Sequence, residues 1–131
     1  MKDYSAYFVL PAPPEEVYEA LTNPLAIRIW SDADVVMQRI PDTEFSLFDG
    51  SICGKNLAFE ENRKIIQEWY FGEQEPASIV TLLLHPKGTQ STSVELRHTH
   101  IPDKAFEDMK EGWQDIYFGN LLAFFEDETT D

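Results

Sequence analysis

"EGWQDIYFGNLLAFFEDETTD", residues 111–131, reads as a helix that carries one Trp, one Tyr and three Phe. It is too interrupted by polar residues to cross a membrane, which takes about 20 apolar residues in a row. Extended back to Pro102 and Asp103, the pattern sharpens. Phe106, Met109, Trp113, Ile116, Tyr117, Asn120, Leu121 and Phe124 recur every three or four residues, as one stripe on one helix face. Glu107, Asp108, Lys110, Glu111 and Asp115 occupy the opposite face. Asp103 is placed to cap the start. A long helix with an aromatic underside needs an apolar surface to lie on.

That surface precedes it. "ASIVTLLLHP" (77–86), the most apolar strand, turns at "KGTQ" (87–90) into "STSVELRHTH" (91–100). Before them run "DVVMQRI" (34–40), "EFSLF" (44–48), "SICGKNLAFE" (51–60) and "KIIQEWYFG" (64–72). Asp49–Gly50 between the second and third of these is a hairpin signal, since both residues tolerate positive φ. Connections this short predict an antiparallel meander. At the front, an aromatic and β-branched strand from Tyr4 to Leu10 leads into "PAPPEEVYEALTNP" (11–24) and "PLAIRIW" (24–30). Pro13 and Pro14 suit a helix start, Glu15 and Glu16 suit its positive end, and Pro24 divides the stretch into two short helices. The expected class is α+β. One curved antiparallel sheet of about six to seven strands has two short helices after its first strand and the long C-terminal helix over its concave face.

The chain has 131 residues, a length that fits one domain over 1–131, with a flexible acidic tail at about 126–131. Hydrophobic residues make up 43% and charged residues 26%, as in ordinary globular proteins. The formal charge of −14 argues against nucleic acid and anionic membranes as partners, because phosphates are met by Lys and Arg. It favours a basic partner surface. One cysteine, Cys53, forms no internal disulfide; it is expected as a small buried hydrophobe in a cytoplasmic protein. No apolar run near the N-terminus is long enough for a signal peptide.

The order of motifs resembles the START-like helix-grip superfamily, and within it the C-terminal domain of Aha-type activators of a heat-shock chaperone ATPase. The family's opening pattern is met by Pro11, Pro14, Val17, Tyr18, Ala20, Leu21, Thr22, Pro24 and Trp30. Its hairpin is met by Phe45, Asp49 and Gly50, with Gly54 in the next strand. Arg63 to Trp69, then Ser78, Val80, Thr81 and Leu84, then Gly88 and Thr89, then Gly112 and Trp113 follow in the family's order. Where the family has a glycine pair before the hairpin strand, "RIPDTEF" (39–45) stands instead. The resemblance implies the helix-grip fold. It also implies a choice between small-molecule binding and action on a chaperone.

Strand alternation selects the residues that face the helix. Phe45 and Leu47 share one inward face; Val80, Leu82 and Leu84 another; Val94, Leu96 and His98 a third. Gln67 shares the face of Trp69, which the resemblance places inward. With Phe106, Met109, Trp113 and Tyr117 from the helix, these residues are the expected walls of a cavity for a small apolar or aromatic ligand. Gln67, His98 and Tyr117 are its candidate polar groups. Trp30 falls in the core or at the rim.

No cofactor is expected: no phosphate loop or nucleophile elbow is present. His98 and His100, two apart on a strand, face the same way, but nothing at recognisable spacing completes a metal site. A proton on His98 could serve acid–base chemistry, which leaves an enzyme of cyclase or hydrolase type as a lesser alternative. The leading expectation is a non-enzymatic ligand-binding domain. The alternative is an interaction domain related to chaperone ATPase activators. Gly112 is expected to permit close packing of the helix on the sheet.

Overall fold

A computed structural model describes the backbone of residues 1–129 and side chains through Glu126. The acidic tail expected at about 126–131 therefore lies almost wholly outside what is described. Strand β1 (Lys2–Leu10) is followed by helices α1 (Pro14–Thr22) and α2 (Pro24–Ser31). Five strands follow: β2 (Glu44–Leu47), β3 (Ile52–Glu60), β4 (Lys64–Trp69), β5 (Ser78–Pro86) and β6 (Thr92–Ile101). They form one curved antiparallel sheet in the order β1-β6-β5-β4-β3-β2. A 3-10 turn (Asp103–Ala105), α3 (Phe106–Glu111), a π-helical segment (Gly112–Tyr117) and α4 (Phe118–Thr129) then run on as the C-terminal helix. This is the helix-grip arrangement. No helix among the described residues is long and apolar enough to cross a membrane.

The break between α1 and α2 has a local cause. Pro24 cannot continue α1 as a hydrogen-bonded residue. The Asn23 side chain accepts a bond from the Leu25 N–H at 2.9 Å and starts α2. The Trp30 indole N–H then donates to the Ala20 carbonyl at 2.8 Å and fixes the angle between the two helices. Trp30 is buried in the core.

Three expectations are corrected here. Residues 34–40 form no strand; their pairing with the sheet is a lone bridge between Val36 and Ser46. Side chains take the backbone's place as partners. The Asn56 amide donates to the Gln38 carbonyl, and Arg39 reaches back to Thr22 and Glu19. Cys53 is exposed, because alternation in β3 gives the inner face to Gly54 and Asn56. Asp103 caps nothing: its carboxylate pairs with the N-terminal amine at 2.8 Å.

The turn after β2 holds Phe48, Asp49 and Gly50 all at positive φ, so the Asp–Gly signal did mark the hairpin. Phe48 in that conformation throws its ring toward the middle of the C-terminal helix, 6.4 Å from Tyr117 between ring centres.

Candidate functional site

The inner sheet face is closed by aromatic rings. Trp69 of β4 and Trp113 of the helix stack with centres 4.7 Å apart, and Tyr117 lies 4.6 Å from Trp113. The helix does not keep its α phase through this region. In the π segment each turn takes in an extra residue. Trp113, Tyr117, Phe118, Leu121 and Phe125 therefore point to the sheet, while Ile116 is 52% exposed and Phe124 only half-buried. The expected stripe of Ile116, Asn120 and Phe124 is corrected on that account. Phe118, unforeseen, stacks flat on Phe8 of β1 at 4.1 Å.

His98 sits behind the two tryptophans and is fully buried. The Trp113 indole N–H donates to its Nδ1 at 3.0 Å. An indole nitrogen only donates, so Nδ1 must be the bare nitrogen and Nε2 carries the hydrogen. Nε2–H then donates to the Ser78 hydroxyl at 2.9 Å, and Ser78 donates to the Thr99 carbonyl at 2.8 Å. Each donor meets an acceptor. A second proton on His98 would have no acceptor at Nδ1. Burial pushes its pKa from 6.5 to about 4, against a small opposing pull from Asp3. Near neutral pH His98 lacks the imidazolium proton that a general acid would donate, and both its ring nitrogens are already engaged. Nor does His100 align with it. A register shift opposite Lys2 and Tyr4, with φ +56° at His100, breaks the alternation and gives the inner face to Ile101.

This arrangement has a measurable consequence. The unfolded chain takes up a proton on His98 near pH 6.5, the folded protein only near 4. Between those values the unfolded state binds more protons. Stability that is complete above pH 6.5 is therefore lost as pH falls to about 4, on the order of 3 kcal/mol in all. Urea unfolding across this range should show the loss in the native protein. His98→Gln, less stable at pH 7, should show a flatter dependence; parallel curves would contradict the assignment.

A second polar chain supports the other side. Asn56, fully buried, accepts from the Gln67 amide at 3.0 Å, and the Gln67 carbonyl accepts from the Trp69 indole at 3.0 Å. Gln67 thus orients Trp69.

Beside α3 and the π segment lies an open pocket of about 270 Å³. Phe48, Ile52, Trp69, Met109, Trp113 and Tyr117 give it apolar walls, with Ser51, Asp108, Gly112 and Ile116 also lining it. Of the residues expected to form a cavity, Trp69, Met109, Trp113 and Tyr117 line this pocket. Phe45, Leu47, Val80, Leu82, Leu84, Val94 and Leu96 pack beneath as core; Gln67 and His98 are buried with them. Phe106 stands apart, edge-on to Tyr4. Phe48, Ser51, Ile52 and Asp108 escaped the sequence reading. Only the positive-φ turn beside Asp49–Gly50 hinted that Phe48 would reach the helix. Tyr117 is 5% exposed, and its hydroxyl has no hydrogen bond among the described residues. Burial raises its pKa, so it remains a neutral donor.

Gly112 explains part of the opening. A Cβ there would meet nothing within 4 Å, so the expected close packing is absent. Gly112→Ala should raise stability by about 0.5–1 kcal/mol, the helix-propensity gain. Thermal denaturation checks this; a loss would contradict it.

Comparison with known proteins agrees with this geometry. Residues 11–126 match the family described as "Activator of Hsp90 ATPase homolog 1-like protein". The chain belongs to this family. An "Activator of 90 kDa heat shock protein ATPase homolog" from Dictyostelium discoideum is 31% identical over 103 residues, covering 77% of this chain and 27% of the relative. A mouse homolog 2 of that activator is 28% identical, covering 86% of this chain and 34% of its own length. The chain thus spans about a third or less of the curated relatives it matches. Among solved structures, an HSP90 activator from Plasmodium falciparum superposes with a TM-score of 0.86 at 23% identity, over 95% of this chain and 96% of that one. The fold is therefore that of the family's known structures.

Proposed function

We propose that this chain is a non-enzymatic interaction domain that acts on a chaperone of the 90 kDa heat-shock class. The observation that carries the reading is its similarity, across three quarters of its length, to an activator of such a chaperone's ATPase. The geometry supports binding over chemistry. The inner sheet face is filled by packed side chains, and His98 is walled in as a neutral link between Trp113 and Ser78. The formal charge of −14 favours a basic surface on the partner.

The test is the chaperone's ATP turnover with increasing amounts of this chain. The expected result is a dose-dependent rise that weakens with salt, since exposed charges are screened within about 10 Å at 0.1 M. An unchanged rate together with no complex by sedimentation would contradict the proposal.

A second reading, a small ligand in the aromatic pocket, rests on that pocket alone. Its volume lies just under the roughly 300 Å³ at which ligand sites begin. An environment-sensitive apolar dye should bind at about one per chain. Absence of binding would remove this reading and leave the first intact.

A further inference from the structure

We propose that the aromatic pocket is a site for a small organic cation, an alkylated ammonium or a guanidinium, that also carries a neutral oxygen. The inference deepens the second reading above and is independent of action on a chaperone. Three observations meet at one place. The walls include four aromatic side chains, Phe48, Trp69, Trp113 and Tyr117, drawn from the hairpin turn, β4 and the helix. Ring faces carry negative potential, and a desolvated set of them attracts a cation over a neutral group of the same shape. Asp108 is the charged residue in the lining, and its carboxylate has no ion-pair or hydrogen-bond partner among the described residues. No Lys, Arg or His lines the pocket. The third observation is the Tyr117 hydroxyl. The Tyr117 ring is buried, while its neutral hydroxyl reaches the surface and has no hydrogen-bond partner among the described residues. A hydroxyl free to donate at the pocket suits a ligand oxygen as acceptor.

Size sets the class further. About 270 Å³ holds a group such as a trimethylammonium with a short chain, and no large sterol or polyketide. Gly112 keeps the mouth open, since no side chain stands there. The remainder of the surface helps: a protein of charge −14 concentrates cations around it.

The probes are choline and its uncharged carbon isostere, 3,3-dimethylbutan-1-ol, followed by tryptophan fluorescence and by amide shifts of residues 108–117. Choline should bind saturably and at least about fivefold more tightly than the isostere, within the range of desolvated cation–π contacts. Asp108→Asn, a surface change that leaves the fold intact, should weaken choline about threefold or more and leave the isostere unchanged. Tyr117→Phe keeps the ring and should weaken both probes. Gly112→Leu should abolish binding of both by filling the mouth, while circular dichroism shows the fold retained. Nα-acetyl-arginine amide forms a further arm. Tighter binding than choline places the cation on a partner protein's side chain; weaker binding places it on a free small molecule. Equal affinity for choline and the isostere, no binding of choline, or insensitivity to Asp108→Asn would each overturn the proposal. Such a failure leaves the ATPase assay untouched, and failure of that assay leaves choline binding untouched.

Discussion

Gly54→Ala should be among the most damaging single-methyl changes in this protein. Gly54 pairs with Phe45 on one side and Trp69 on the other, where β2, β3 and β4 run together. A Cβ built there would overlap the Glu68 backbone carbonyl and lie 2.8 Å from the Phe45 ring. A carbonyl held in a ladder cannot swing aside as a side-chain end can. Phe45 is 2% exposed and has core on its other face. The substitution must open the β3–β4 pairing or drive Phe45 out of its rotamer. Overpacking commonly costs about 1–3 kcal/mol, and a clash with backbone belongs at or beyond the upper end. Chemical denaturation gives the number. Gly112→Ala, the same change with open space before it, is the control and should move stability the other way. A Gly54→Ala cost below about 1 kcal/mol would show that the strands do not approach as described.

Trp113→Ala should cost at least as much. Trp113 is 2% exposed and touches Trp69, His98, Tyr117 and Phe118 through ring contacts. Deleting a buried Trp side chain costs about 3–5 kcal/mol. Here it also strips His98 Nδ1 of its donor, adding about 1–3 kcal/mol for an unpaired buried group. Although Trp113 lines the pocket, most of its ring is in contact, so the pocket softens the loss little. Trp113→Phe separates the two parts, retaining a ring and removing the N–H. Its cost should shrink in a His98→Gln background, with a coupling of about 0.5–3 kcal/mol in a double-mutant cycle. Additive effects would mean that the indole and imidazole do not bond.

The strands that were easiest to read share one property: polar residues alternate with apolar ones. In β6, Ser93, Glu95 and Arg97 mark the outside, so Val94, Leu96 and His98 had to be inside, and all three are fully buried. Trp69, with Gln67, was placed inward by resemblance, and both are buried. The helix was readable as an element but not in phase. Period arguments assume 3.6 residues per turn, and the π segment from Gly112 to Tyr117 departs from it. That departure exchanges Ile116 for Phe118 on the inner face. Residues 34–40 have strand-like composition, but their hydrogen bonds go to partners remote in sequence: the Gln38 carbonyl accepts from Asn56, and Arg39 donates to Thr22 and Glu19. Cys53 was misjudged because an apolar residue in a strand names no face by itself. The pocket depends on distances between Phe48, Asp108 and the ring cluster, which no spacing in the chain encodes.

The central claim is that His98 is a structural link between Trp113 and Ser78, held neutral with its proton on Nε2. Nitrogen-15 NMR of the imidazole between pH 7 and 5 tests it directly. The prediction is an Nε2–H tautomer, with Nδ1 unprotonated and no titration across that range. Uptake of a proton on His98 near pH 6.5 would contradict the account and restore an acid–base group to the site.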